Sequence, residues 1–447
     1  MRFLPRIPLC SAVVAMAAAG AMLLPAAPAQ AQDDWTIPKA EEPSDCVPTT
    51  ADSGESLNER PWAKNFIGLD DAQQYNRGVF ATGSEKGERV TIAVIDSGVA
   101  AEREDVFGNR LLEGFDTWDA DAKGRCDGFY HGTAVAAIAA GSQMGEDFIG
   151  VAPEANILPI RIFMDDKDGG DTEKSKLLAT AIRDAATHGA DVINTSLVVV
   201  PTDELEAAVA DAIASGVVIV GATGNEAKHM DDPDRELKDQ TYYPANYPEV
   251  IAVGAHNKTG NWYNKTNFGE NIDLLAPGEG VAFPYAGGQW QSSSGTSFAA
   301  PFVAGAAALL KAQFGADATP AWIQKRLQAT AIHPPNGFNM YQGYGVLNVK
   351  EALSAPVDDL SEITSTDVGA APVDDSSSTL PLTDEERDAI APLDVDYDPL
   401  GTVKTIAWAS VGGTLVLIAL VLVLRKVIPK GRTRRWRPGS REVERLP

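Results

Sequence analysis

Four residues far apart in the chain, Asp96, His131, Asn225 and Ser297, are together of the types needed for nucleophilic acyl transfer. A serine hydroxyl is a weak nucleophile until a neighbouring base takes its proton, and the base needs a third group to fix its tautomer. The adduct then needs a donor aimed at the developing oxyanion. One hydroxyl, one imidazole, one carboxylate and one carboxamide fill these roles. Each has a plainer reading when taken alone. A serine opening an apolar helix is ordinarily an N-cap, a histidine at the head of a helix is ordinarily structural, and Asp96-Ser97-Gly98 and Gly224-Asn225 read as ordinary turns. Their joint presence is what points to a hydrolase, and with five histidines in the chain the choice of base is short. Ser297 lies in GTSFA rather than GxSxG, which disfavours the nucleophile-elbow hydrolases.

Such residues need a frame that gathers them. TIAVID (91–96), DVINTS (191–196), VVIVGAT (217–223) and VIAVGA (250–255) are short apolar runs, the pattern of strands buried on both faces. KLLATAIRDAATHG (176–189) has helical spacing and ends in Gly189. DELEAAVADAIASG (203–216) opens with Asp203 and Glu206 at capping-box spacing and closes with Gly216. This alternation predicts an α/β fold with a mostly parallel sheet, helices on both faces and right-handed crossovers. In such sheets ligands sit beyond the carboxyl ends of the strands, where Asp96 and Asn225 fall. His131 heads the helical run HGTAVAAIAAG, and Ser297 opens a helix whose small apolar residues require burial.

The segments AVIDSGV (93–99), HGTAVAAIAAG (131–141), GVAP (150–153), VINTSL (192–197), VGATGNE (220–226), YPANYPEVIAVGA (243–255), LLAPG (274–278) and GTSFAAPFVAGAAALL (295–310) resemble, in order, those of the subtilisin-like serine proteases, peptidase family S8. The resemblance implies a subtilisin-like fold and an endopeptidase working through an acyl-enzyme. Ser297 would be the nucleophile, His131 the base, Asp96 its orienting partner, and Asn225 with the Ser297 N–H the oxyanion hole. Substrate would lie as an added strand along Thr195, Ser196 and Leu197. Val198-Val199 stand where the family has Gly-Gly, which narrows the cleft. No metal or cofactor is expected, and Asp165, Asp166, Asp168 and Asp171 read as a solvated acidic loop.

The chain ends speak of a membrane. Arg2 and Arg6, the apolar run Leu9–Leu24 and Ala29-Gln30-Ala31 form a secretory signal over 1–31. Residues 32–61 read as a proline-rich arm too short for a folded inhibitory propeptide, and 62–353 as the catalytic domain. Residues 354–404 form an acidic linker rich in Asp, Ser, Thr and Pro. Residues 405–424 hold no charge and suffice for one transmembrane helix. The tail, 425–447, carries nine basic and two acidic residues, which places it in the cytoplasm and the domain outside, a single-pass type I topology. The formal charge of −25 argues against a sequence-independent nucleic-acid binder. Cys10 leaves with the signal, so the exported chain keeps Cys46 and Cys126, expected to form a disulfide between arm and domain.

This architecture resembles the mycosins, membrane-anchored proteases of mycobacterial type VII secretion. The expected partners are therefore protein or peptide substrates exported by such a system, the membrane, and components of its membrane complex. The alternative is a structural subunit of that complex whose proteolysis is secondary.

Overall fold

In a computed structural model the described residues are 61–356, apart from 146–147, 163–170, 233–235, 237–238, 285–289 and 336. The predicted signal, arm, linker, transmembrane helix and tail therefore lie outside the described residues, except for the last residue of the arm and the first three of the linker.

Seven strands form a parallel sheet: β1 (Thr91–Asp96), β2 (Phe115–Asp116), β3 (Asn156–Arg161), β4 (Val192–Thr195), β5 (Val218–Ala222), β6 (Ile251–His256) and β7 (Leu274–Pro277). Their order is β2-β3-β1-β4-β5-β6-β7. From β1 the chain goes to the edge strand β2, comes back inward to β3 beside β1, and then crosses to start β4 on the other side. The crevice at that reversal opens at the carboxyl ends of β1 and β4, the favoured ligand position in open α/β sheets. Register aligns those ends, with Ile95 opposite Thr195 and Thr195 opposite Gly221. Nearly every strand residue is buried, as the continuous apolar runs require. A separate antiparallel hairpin joins β8 (Val281–Pro284) to β9 (Trp290–Ser293).

The helices are α1 (Ala63–Phe66), α2 (Leu69–Ala72), α3 (Glu104–Phe107), α4 (His131–Ala140), α5 (Asp171–Thr187), α6 (Asp203–Ala214), α7 (Thr296–Phe314), α8 (Pro320–Thr330) and α9 (Val349–Ser354). Helices α5 and α6 pack on each other, as do α4 and α7, and α7 lies along β4 to β7. Helix α7 is long and apolar enough to cross a membrane, but most of its length is buried within the fold, so it is a core helix. It approaches α4 closely at Gly305, where an added Cβ would lie 2.5 Å from Val151 Cβ and 2.9 Å from the Ala139 carbonyl oxygen. Any larger residue would part the two helices whose first turns carry Ser297 and His131.

One expectation is corrected. The cap of α6 is Thr202, one residue before Asp203; its extended backbone lets the side chain accept from Leu205 N (3.2 Å). Asp203 is already helical, so Asp203 and Glu206 lie in the first turn at the positive end of the dipole instead of forming a capping box.

At the other end of the described chain, Arg326 of α8 is buried and fixes the main chain that leaves α9. Its guanidinium donates to the carbonyls of Ala352 (2.9 Å), Ala355 (2.5 Å) and Pro356 (2.9 Å).

Candidate active site

Asp96 is the last residue of β1 and is fully buried. His131 is the first residue of α4, with its Nδ1 2.8 Å and 3.1 Å from the two Asp96 carboxylate oxygens. A carboxylate only accepts, so Nδ1–H donates and Nε2 keeps its lone pair for a proton from elsewhere. Burial, the largest influence, pulls the imidazole pKa down. The Asp96 charge and hydrogen bond, with a smaller push from Asp127, outweigh it and leave His131 above its ordinary value.

Ser297 lies in the first turn of α7, beside Phe298, whose ring centre is 5.2 Å from that of His131. Pro301 is built into the same helix four residues on. Proline has no N–H, so the Ser297 carbonyl loses its usual helical partner. Ser196 supplies one: its hydroxyl donates to that carbonyl (2.8 Å) and accepts from Asn194 Nδ2 (2.9 Å). The end of β4 thus pins the main chain of Ser297.

Asn225 sits on the turn after β5. Its Oδ1 accepts from Thr296 N (2.8 Å) and Thr296 Oγ1 (3.2 Å), and Thr296 Oγ1 accepts in turn from Gly224 N (3.0 Å). With the oxygen so engaged, the amide orientation follows from its partners and Nδ2 is the end left to donate. A Cβ placed on Gly295 would lie 3.3 Å from Asn225 Nδ2 and 3.4 Å from Ser297 Oγ, so both groups border the same small space. Gly224 has φ +97°, and an added Cβ would fall 2.4 Å from Asn267 Nδ2, so glycine is required there. Buried Asn267 clamps the turn: Nδ2 donates to Thr223 O (2.8 Å), and Oδ1 accepts from Glu226 N and Lys228 N (both 3.0 Å).

The predicted substrate-binding residues divide by function. Thr195 ends β4 with its hydroxyl on Val220 O (3.2 Å). The Ser196 hydroxyl is spent on Ser297, and Leu197 is half-buried. Beyond β4 the main chain runs on and pairs again at Val199, antiparallel to Tyr243. The two valines also differ. Val199 is buried in that pairing, whereas Val198 Cγ1 lies 3.6 Å from where Gly224 would carry a Cβ and so faces the Asn225 turn.

Cys126 is disulfide-bonded, while Cys46, its expected partner, lies outside the described residues. Among the described residues no group of three His, Cys, Asp or Glu could hold a metal ion. Asp165, Asp166 and Asp168 are outside them, and of Asp171 only the main chain is described. Thr296, Asn267 and Asp127 were not singled out from the sequence. Thr296 and Asp127 adjoin residues that were, but nothing in the sequence marks Asn267, 42 positions after Asn225.

The Subtilase family model, Peptidase S8, matches residues 87–345. Subtilisin NAT of Bacillus subtilis subsp. natto is 33% identical over 60% of this chain and 66% of its own length. Mycosin-1 of Mycolicibacterium smegmatis is 32% identical over 70% of this chain and 77% of its own. The crystal structure of MycP1 from the ESX-1 type VII secretion system matches 73% of this chain and 94% of its own at 30% identity and TM-score 0.60. MycP3 protease from the type VII (ESX-3) secretion system matches 73% and 99% at 27% identity and TM-score 0.58. The chain therefore belongs to the subtilase family of serine endopeptidases and is related within it to the mycosins.

Proposed function

We propose that the protein is a membrane-anchored serine endopeptidase that cleaves proteins exported by a type VII secretion system and is associated with that system. The observation that carries the catalytic reading is the small space at Gly295 bordered by both Ser297 Oγ and Asn225 Nδ2. A tetrahedral adduct on Ser297 would grow its oxyanion toward that carboxamide, with the Ser297 N–H at the head of α7 as second donor.

His131 takes the Ser297 proton on Nε2 while Asp96 stabilises the imidazolium; His131 then returns the proton to the leaving amine, and water repeats the cycle on the acyl-enzyme. Substrate pairs as a strand with the main chain of residues 195–197, and Val198 limits the residue seated against Gly224 to a small side chain. Support for the setting comes from the signal, the uncharged segment 405–424 with its basic tail, and the likeness to Mycosin-1.

Ser297→Ala tests this. Wild-type protein should label at Ser297 with a fluorophosphonate and hydrolyse peptides, and the variant should do neither while keeping a native melting curve. Peptide turnover undiminished in the variant would reject the mechanism.

A further inference from the structure

Beside the Asp96–His131 pair lies a second buried carboxylate, Asp127, four residues before His131. It accepts from four donors. Oδ1 takes Ser97 Oγ (2.9 Å) and Phe129 N (3.0 Å); Oδ2 takes Thr133 N (2.8 Å) and Thr133 Oγ1 (2.5 Å). The two hydroxyls extend the network, Ser97 Oγ accepting from Gly132 N (2.9 Å) and Thr133 Oγ1 from Ala100 N (2.9 Å). Ser97 N in turn donates to Asp96 Oδ1 (2.7 Å). One carboxylate therefore ties the turn after β1, which carries Asp96, to the first turn of α4, which carries His131.

Its two oxygens also straddle a strained residue. Tyr130, immediately before His131, has φ +63°, a left-handed conformation that a bulky side chain rarely adopts. Such strain persists only where its surroundings over-determine it. Here Asp127 grips Phe129 N on one side of Tyr130 and Thr133 N on the other.

We propose that Asp127 is a positioning residue for the hydrolysis: it locks the strained turn that aims His131 at Asp96, and its negative charge helps stabilise the imidazolium. The inference rests on the serine-protease reading of His131. Among the described residues the charged groups that act on His131 include Asp96 from β1 and Asp127 from the loop before α4, and both raise its pKa. Asp127 itself faces Asp96, and burial pushes its own pKa up to about 6. Above that value its charge is present, and that is the range in which the base must shed its proton to act.

The test is Asp127→Asn in the full chain, assayed by peptide hydrolysis against pH, with active molecules counted by fluorophosphonate labelling. Neutral imidazole is the active form, so activity rises with pH through the His131 pKa. Removing the Asp127 charge should lower that midpoint by about half a pH unit, and kcat should fall about tenfold with KM little changed. Ser97→Ala and Thr133→Val keep the charge and each remove one donor. They should lower kcat per labelled molecule a few-fold without moving the midpoint, and they carry the test if Asp127→Asn does not fold. A merely structural Asp127 would lower only the melting temperature. An unmoved midpoint in folded Asp127→Asn, or unchanged kcat per labelled molecule in the two donor variants, overturns the proposal. Wild-type protein that neither labels nor hydrolyses would instead remove the underlying reading.

Discussion

The two sides of the cleft are held by different chemistry. On the base side, β1 and α4 are joined through the buried carboxylates Asp96 and Asp127, which take hydrogen bonds from hydroxyls, main-chain N–H groups and the imidazole. On the acyl side, the α7 turn, the Asn225 turn and the end of β4 are joined by neutral groups: Thr296 to Asn225 and Gly224, Ser196 to Ser297, and Asn267 to the main chain. On the proposed mechanism, charge on the first side serves a proton that moves during turnover, so that side should respond to pH. On the same mechanism the second side receives charge only in the transition state, and neutral dipoles fixed beforehand would stabilise it without a titration of their own.

Substitutions on the acyl side should leave the pH dependence alone if the two sides act independently. Apart from loss of the nucleophile itself, the largest effect expected on the acyl side is from Asn225→Ala, which on the proposed mechanism removes an oxyanion donor and should cost about 10²–10³ in kcat. Its pH midpoint should match wild type; a displaced midpoint would mean that the two sides are electrostatically coupled. Thr296→Val comes next. It deletes the hydroxyl bridging Asn225 and Gly224 but keeps the Thr296 N–H on Asn225 Oδ1, and should cost about tenfold in kcat at constant midpoint, since the two neutral hydrogen bonds lost are each worth about 1 kcal/mol and part of that loss falls on the transition state. The smallest effect is on selectivity. Val198→Gly should raise kcat/KM for substrates with a large residue before the scissile bond, relative to alanine there, by about tenfold. Kinetics on a matched pair of peptides would read this, and an unaltered ratio would place the specificity wall elsewhere.

How far the sequence carried the reading differs between these sides. Asp96 and His131 were legible because each ends or begins a strongly patterned element: TIAVID stops at the aspartate, and the alanine-rich helix starts at the histidine. Ser297 was legible for the same reason. The strand pattern likewise located β1, β4, β5 and β6 to within a residue or two. Strands β2 and β3 were not read: β2 has only two residues, and β3 carries a proline that masks its run. The support of Asn225 stayed hidden because Asn267 reaches it only through the fold. Ser196 is placed at the substrate strand by the resemblance of VINTSL to the family's segment, which says nothing about its hydroxyl. That its hydroxyl serves Ser297 follows from Pro301, a residue 105 positions away that deprives one carbonyl of its partner.

The Arg326 clamp has a mechanical consequence. A pull transmitted along the chain from beyond Pro356 meets the carbonyls of Ala355, Pro356 and Ala352, all held by one guanidinium. Bonds gathered on a single rigid fork are loaded together, whereas the rungs of a helix peeled from its end yield one after another. Traction is therefore passed into α8 before α9 can unravel, and resistance to forced unfolding depends on how slowly that single junction opens. The last turn of the described chain thus acts as a strain relief, as at the entry of a cable into its housing.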